Sequence, residues 1–302
     1  MMVPIIELKD ITKKFGKFTA LKNISFQINS GEVLGFIGPN GAGKSTTIRI
    51  LLGILRADSG TVKILEQDAW QNSVAVHRQV AYVPGDVYLW PNLTGGEAID
   101  LLLKMNGGQH TERTEELITK FGLDVRKKAR TYSKGNRQKV ALVAALSMDV
   151  ALYIFDEPTS GLDPLNEATF QKEVLTLKEQ GKSVLLSSHI LSEVEKICDQ
   201  IVIIRNGEIV ESGSLSQMRH LTRTNLRVKT SQPITDIQLQ VKVMNLMQQA
   251  DGTVTMTIDQ QELSAVMAYL AQKGIISLVS TQPSLDELFM EYYQDANDAR
   301  KY

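Results

Sequence analysis

Gly38-Pro39-Asn40-Gly41-Ala42-Gly43-Lys44-Ser45-Thr46 fits G-x-x-x-x-G-K-S, the pattern of a loop that cradles phosphate. Its flanks are those the pattern needs. Val33-Leu34-Gly35-Phe36-Ile37 before it is a short apolar run, as in a buried parallel strand. After it, Ile48, Leu51, Leu52 and Leu55 fall at helical spacing over Thr46 to Leu55. The loop therefore joins a strand end to a helix start, where free N–H groups and the helix dipole favour an anion. The glycines let the main chain curl around a phosphate. Lys44 reaches the β- and γ-phosphates, and the Ser45 hydroxyl is a ligand for Mg²⁺. A chance glycine-rich turn is the competing reading, and the strand and helix on either side disfavour it.

The rest of the chain is consistent with a globular α/β protein. Its 302 residues suggest about two domains. The formal net charge of -1 offers no global field for nucleic acid or acidic lipid, so no nucleic-acid partner is expected. Cys198 is the only cysteine, which excludes an internal disulfide and a thiolate zinc cluster. It reads as a small buried residue in a helix. Met1 to Lys9 lacks a basic stretch followed by an apolar core, so no secretory signal is expected. The nearest approach to a membrane span, Val140 to Phe155, is interrupted by Ser147 and Asp149 and reads as helix, turn and buried strand.

Taken in order, Ile5 to Lys9 and Leu21 to Ile28 read as strands of an antiparallel patch. Lys13-Lys14-Phe15-Gly16-Lys17 lies between them as a basic turn. Its aromatic ring has two readings, stacking on a purine or packing on the sheet. Thr61 to Leu65 and Val80 to Val83 read as further strands, the second stopped by Pro84-Gly85. From about 89 to 147 the α/β alternation gives way to amphipathic helices at Gly96 to Met105 and Glu112 to Phe121, an inserted helical subdomain. Ala151 to Phe155 is an apolar strand ending in Asp156-Glu157, a carboxylate pair at the edge where such sheets bind ligands. The helix from Pro164 stops at Gly181, and the strand after it ends in Ser188-His189. Asn206-Gly207 is a two-residue hairpin turn. Residues 1–216 form the first domain. In residues 217–302, Thr222 to Pro233 reads as a linker. Leu239 to Leu246, Thr253 to Ile258 and Ile275 to Ser280 read as strands, and Gln261 to Gln272 as a helix. This is a small α+β domain. Ser284 and Glu287 make a capping box for a terminal helix.

Together these are the parts of an ATPase. Lys44 and the loop amides neutralise phosphate charge, and Ser45 and Asp156 place Mg²⁺. Glu157 orients or deprotonates the attacking water, and His189 hydrogen-bonds the γ-phosphate.

With five elements in this order and spacing, the chain resembles the nucleotide-binding subunit of an ATP-binding cassette (ABC) transporter. They are the loop at Gly38, the signature Tyr132-Ser133-Lys134-Gly135-Asn136, the strand ending Asp156-Glu157, the D-loop Ser160-Gly161-Leu162-Asp163, and His189. The resemblance implies a P-loop NTPase fold that binds ATP with Mg²⁺, and it places Phe15 on adenine. It implies a head-to-tail dimer, with a second copy or a homologous subunit, in which Ser133, Lys134, Gly135 and Asn136 of one chain face the ATP held by the other. Within one chain, signature and loop should then be too far apart to share a nucleotide. The layout of residues 217–302, with Pro283-Ser284-Leu285-Asp286-Glu287-Leu288-Phe289, resembles the ATPase subunits of bacterial ABC-2-type exporters of drugs, antibiotics or similar compounds. That implies a separate ABC-2-type membrane permease and a cytoplasmic location, peripheral on the inner face of the membrane. The alternative is a non-transport ABC ATPase acting on the ribosome or nucleic acid; an ATP-sensing module without hydrolysis is a third reading. Two departures stand out. The usual signature is L-S-G-G-Q, and Lys134 either adds charge near the phosphates or points to solvent. Gly85 stands where the family has a Gln or Glu that touches Mg²⁺; Asp86 is a candidate substitute, with water as the other choice.

Overall fold

The computed structural model describes residues 3–214, 217, 224–234, 236–237, 241–249 and 251–281. It divides into two compact units, Met1–Gly213 and Ser214–Tyr302. The terminal capping box at Ser284 and Glu287 lies outside the described residues.

The first unit opens on a hairpin, β1 (Pro4–Phe15) and β2 (Phe18–Asn29). Phe15 pairs with Phe18, so the turn is Gly16-Lys17 alone and Lys13, Lys14 and Phe15 belong to the strand rather than to a basic turn. Backbone pairing extends the strands past the point where apolar alternation stops. With β4 (Ser59–Ile64) and β5 (Gln67–Asp68), the hairpin makes an antiparallel sheet ordered β2-β1-β4-β5.

The central sheet contains β3 (Val33–Ile37), β6 (Val80–Val83), β7 (Leu152–Asp156), β8 (Ser183–Ser188), β9 (Gln200–Arg205) and β10 (Glu208–Ser214). Its order is β10-β9-β3-β8-β7-β6. The pairs β3–β8, β3–β9, β7–β8 and β6–β7 are parallel. Every residue of β3, β7 and β8 is buried, which is why β3 and β7 up to Phe155 read as apolar runs. Phe26 of β2 stacks on Phe36 of β3 with centroids 5.3 Å apart, so the two sheets share a core. That core takes Ile6, Leu8, Ile24, Leu34, Ile48, Leu51 and Ile154, each removed from water and each contributing roughly 1.5–3 kcal/mol.

Helix α1 (Lys44–Leu51) is shorter than the periodicity to Leu55 suggests. Gly53, at φ 61°, turns the chain left-handed. The N–H groups of Gly53 and Ile54 donate to the Ile50 and Arg49 carbonyls at 3.0 and 2.9 Å, closing the helix end. A short α2 (Ser73–His77) precedes β6. Between β6 and β7 run α3 (Gly95–Met105), α4 (Glu112–Lys120), a 3-10 turn (Ala129–Thr131) and α5 (Lys134–Leu146). Helix α6 (Pro164–Glu179) joins β7 to β8, and α7 (Leu191–Val194) follows β8. Cys198 is buried, just beyond α7 rather than in a helix, and burial pushes its thiol pKa up.

The second unit has a four-stranded antiparallel sheet of β11 (Thr224–Thr230), β12 (Val243–Gln248), β13 (Val254–Ile258) and β14 (Ile275–Thr281), ordered β12-β13-β11-β14. Helix α8 (Leu263–Gln272) buries Val266, Tyr269 and Leu270. The stretch that reads as a linker is thus the inner strand β11. Leu226 and Val228 are buried while Arg227 between them is exposed, and its charge masks the alternation. The strand expected from Leu239 starts at Val243.

Candidate nucleotide site

The glycine-rich loop runs from the end of β3 to the start of α1. Gly41 and Gly43 take φ of 81° and 116°, conformations that L side chains rarely adopt. A Cβ on Gly38 would lie 2.4 Å from the Ile204 carbonyl oxygen, so the main chain passes directly against β9. No side chain caps α1 and no acidic residue occupies its first turn. Its first N–H groups are thereby left for an external anion. Lys44 is buried, and its Nζ donates to the Gly38 and Pro39 carbonyls at 2.6 and 3.3 Å. The same ammonium is 3.3 Å from Glu157 Oε1. In the rest of the loop, Asn40, Gly41 and Ser45 are exposed, Pro39, Gly43 and Thr46 half-buried, and Ala42 buried.

The end of β8 holds the carboxylates at the end of β7. Ser187 Oγ donates to buried Asp156 Oδ1 at 2.5 Å. The Glu157 N–H lies 3.1 Å from both the carbonyl and the hydroxyl oxygen of Ser187. These bonds sustain a left-handed Glu157, φ 49°, a conformation that costs a non-glycine residue about 1–3 kcal/mol. His189 Nδ1 is 3.4 Å from Glu157 Oε2. Lys44, Glu157 and His189, drawn from three distant stretches, thus meet at one edge of the sheet.

A cleft beside them is lined by Ser45, Asp156, Glu157, Gly85, Asp86, Lys134 and Ser160. Arg49, Tyr82 and Tyr88 line it too and were not picked out by sequence reasoning. The available signal for Tyr82 was its place at the end of β6, the same edge as Asp156. Burial pushes the Tyr82 phenol up to about 12, with Asp156 adding to the shift. Ser187 was also passed over, because a serine inside an apolar strand carries no motif.

Of the four signature residues, Lys134 alone lines this cleft, and it does so in the same chain as Ser45. Its Nζ donates to Ser160 Oγ at 2.9 Å and lies 3.6 Å from Asp86 Oδ1. The side chain stays half exposed to water while it reaches Ser160 and Asp86 across the cleft. Lys134 and Ser45 thus line one cleft in the same chain, with the Lys134 side chain held by Ser160 and Asp86. Ser133 caps α5 by accepting the Asn136 N–H at 3.3 Å. Gly135 abuts the D-loop: a Cβ there would lie 2.3 Å from the Gly161 carbonyl oxygen. Asp163 caps α6, accepting from the Leu165 and Asn166 N–H groups at 3.1 and 3.0 Å. The hydrogen bonds from Asn166 hold its carboxyl below the usual range. Phe15 lies on β1, half exposed, with Lys13 Nζ 5.6 Å from its ring centre, and does not line the cleft.

The ABC transporter family model matches residues 21–160. An ABC transporter ATP-binding protein of Nostoc sp. (strain PCC 7120) is 36% identical over 92% of this chain and 84% of its own length. The linearmycin resistance ATP-binding protein LnrL of Bacillus subtilis is 32% identical over 95% of this chain and 97% of its own. Among solved structures, the ATP-binding cassette MJ0796, a dimer in a post-hydrolysis state bound to ADP and Pi, is 26% identical. It covers 70% of this chain and 98% of its own, with a TM-score of 0.64. The chain belongs to the ATP-binding proteins of ABC transporters, with the ATPase activity of that family.

Proposed function

We propose that this ATPase subunit powers export of a drug, antibiotic or similar compound through a separate ABC-2-type permease. The observation that carries the chemistry is the meeting of Lys44, Glu157 and His189 within 3.3 and 3.4 Å at the sheet edge. The linearmycin-resistance relative, matched along almost its whole length, supports the export reading. Residues 1–216 act as the nucleotide-binding domain, with 89–147 as its helical subdomain and 217–302 as a separate α+β domain.

The loop 38–46 binds the phosphates through its amides, and Lys44 supplies the cation that meets them. Ser45 and Asp156 would hold Mg²⁺, with Asp86 as the third candidate. The Ser45 and Asp156 oxygens suit Mg²⁺, while Asp86 is already 3.6 Å from Lys134 Nζ in the same cleft. The ion's chemistry is to neutralise charge on the phosphate oxygens. Glu157 orients the water that attacks the γ-phosphorus. As that bond forms, the bond to the ADP oxygen breaks, and the water proton passes to Glu157 and on to the released phosphate. His189, already beside Glu157, aligns the carboxylate and the γ-phosphate. Phe15 stacks on adenine. In a dimer, Ser133, Lys134, Gly135 and Asn136 close over the nucleotide of the opposite subunit, followed by Asp163 at the D-loop. The dimeric relative with ADP and Pi supports a dimer.

The permease would dock on an apolar groove lined by Leu52, Ile54, Val87, Tyr88, Leu102 and Met148. Ile54 and Tyr88 are 61% and 89% exposed, more than a free surface favours for such side chains. The permease would hold the subunit at the inner face of the membrane; among the described residues no helix is long and apolar enough to cross one. A role on the ribosome or nucleic acid is disfavoured by the net charge of -1 and the transporter relatives.

The test is Glu157→Gln. Hydrolysis should fall by about 10²–10⁴-fold while ATP still binds and ATP-driven dimerisation strengthens. Full-rate hydrolysis by that variant would remove Glu157 from the mechanism. Export by the subunit with its permease is measured separately, as ATP-dependent clearance of the compound from vesicles.

A further inference from the structure

Glu193, on α7, is a buried carboxylate that the mechanism above does not use; it is 9% exposed. Its Oε2 accepts a hydrogen bond from Thr159 Oγ1 at 2.8 Å and lies 3.3 Å from Ser188 Oγ, whose one proton is shared between Glu193 and the Ile190 carbonyl at 3.1 Å. Each donor adjoins a working group. Thr159 stands in the turn that begins at Glu157, closed by the Ser160 N–H on the Glu157 carbonyl at 3.1 Å. Ser188 immediately precedes His189, and its carbonyl accepts the N–H of Gly38, the first residue of the glycine-rich loop, at 3.3 Å. One carboxylate oxygen thus ties the turn after β7 to the end of β8.

We infer that Glu193 is a positioning residue for hydrolysis, a buried strut that holds Glu157 and His189 in register. Glu157 is left-handed and needs support on both sides to remain so. On its N-terminal side Ser187 holds its N–H. On its C-terminal side Glu193 holds Thr159. The same oxygen is the shared acceptor for Ser188, which couples the Glu157 turn to the backbone just before His189. A carboxylate suits this place because hydrogen bonds to a charged acceptor are about twice as strong as neutral ones. Burial raises its pKa and Glu167 adds to that, while the two hydroxyls and His189 oppose the shift. The donors are therefore integral to keeping the group in its place.

The inference rests on the assignment of Glu157 and His189 to ATP hydrolysis. Steady-state ATPase of the full chain is measured first; an inactive wild type would strike that assignment and not the strut. With an active wild type, Glu193→Ala should lower kcat by about 10- to 100-fold, with KM and fluorescent-ATP binding unchanged. Glu193→Gln, which keeps an acceptor oxygen, should recover most of the rate. Thr159→Val should follow Glu193→Ala, and Thr159→Ser should stay near wild type; this pair carries the test if Glu193→Ala does not fold. In a Glu157→Gln background, Glu193→Ala should cause no further loss. A rise in KM at unchanged kcat would overturn the proposal. So would a wild-type rate in Thr159→Val, or an equal loss in the Glu157→Gln background.

Discussion

Gly135 has no room for even a methyl group, because its Cβ would sit 2.3 Å from a backbone oxygen of the D-loop. Backbone gives way less easily than the end of a side chain. Gly135→Ala should therefore cost about 1–3 kcal/mol. Thermal unfolding should show a Tm lowered by roughly 2–10 °C. Hydrolysis should fall too, since the displaced turn leads back through Ser160 to Glu157. Lys134, one residue earlier, is a different case. Its 50% exposed side chain grips Ser160 and Asp86 over water-facing ground, where an ion pair contributes little to stability. Its consequence is local: it places a positive charge beside the oxygen donors of the cleft.

Helix α3 begins on a capping box. Thr94 Oγ1 accepts the Glu97 N–H at 3.3 Å, and Glu97 Oε2 accepts the Thr94 N–H at 2.7 Å. Helices α3 and α4 are then joined by His110, whose Nδ1 meets Asp100 of α3 at 2.6 Å and whose Nε2 meets Glu115 of α4 at 2.8 Å. The hydrogen bond to Asp100, with help from Glu115, raises the His110 pKa above 6.5 against some desolvation. A group whose folded pKa is raised stabilises the fold below its unfolded pKa, and that stability is lost as pH rises through the folded pKa. Thermal unfolding between about pH 6 and about pH 8 should therefore show Tm falling in the wild type. In His110→Gln that part of the fall should disappear. An identical profile in both proteins would mean that the bridge contributes nothing.

At the scale of the molecule, each of the two units has its own core. Leu226, Val228, Met256, Val266 and Leu270 make up much of the core of the second. The first carries the loop, both carboxylates and His189, and its central sheet is complete at Ser214. A chain ended after Ser214 should fold and bind ATP with unchanged affinity, as isothermal titration would show. Lost binding would mean that residues beyond Ser214 support the site.

Much of this was legible in the sequence for reasons of short range. The glycine-rich loop, the apolar strands and the Asp156-Glu157 strand end are local patterns, and backbone chemistry allows them few alternatives. Strand β11 was not legible, because Arg227 and Lys229 hide an alternation that only pairing with β13 and β14 makes effective. The extension of β1 through Phe15 had the same cause. Within the site, the residue types were readable and their partners were not. Ser187 on Asp156, Lys134 across to Ser160, and Glu193 on Thr159 join residues 26 to 34 positions apart. Such contacts exist once β7 and β8 lie side by side and α5 packs over the turn after β7. The local pattern determined which groups bear the chemistry; tertiary packing decided which of them touch, because a hydrogen bond depends on distance in space and leaves no periodic trace along the chain.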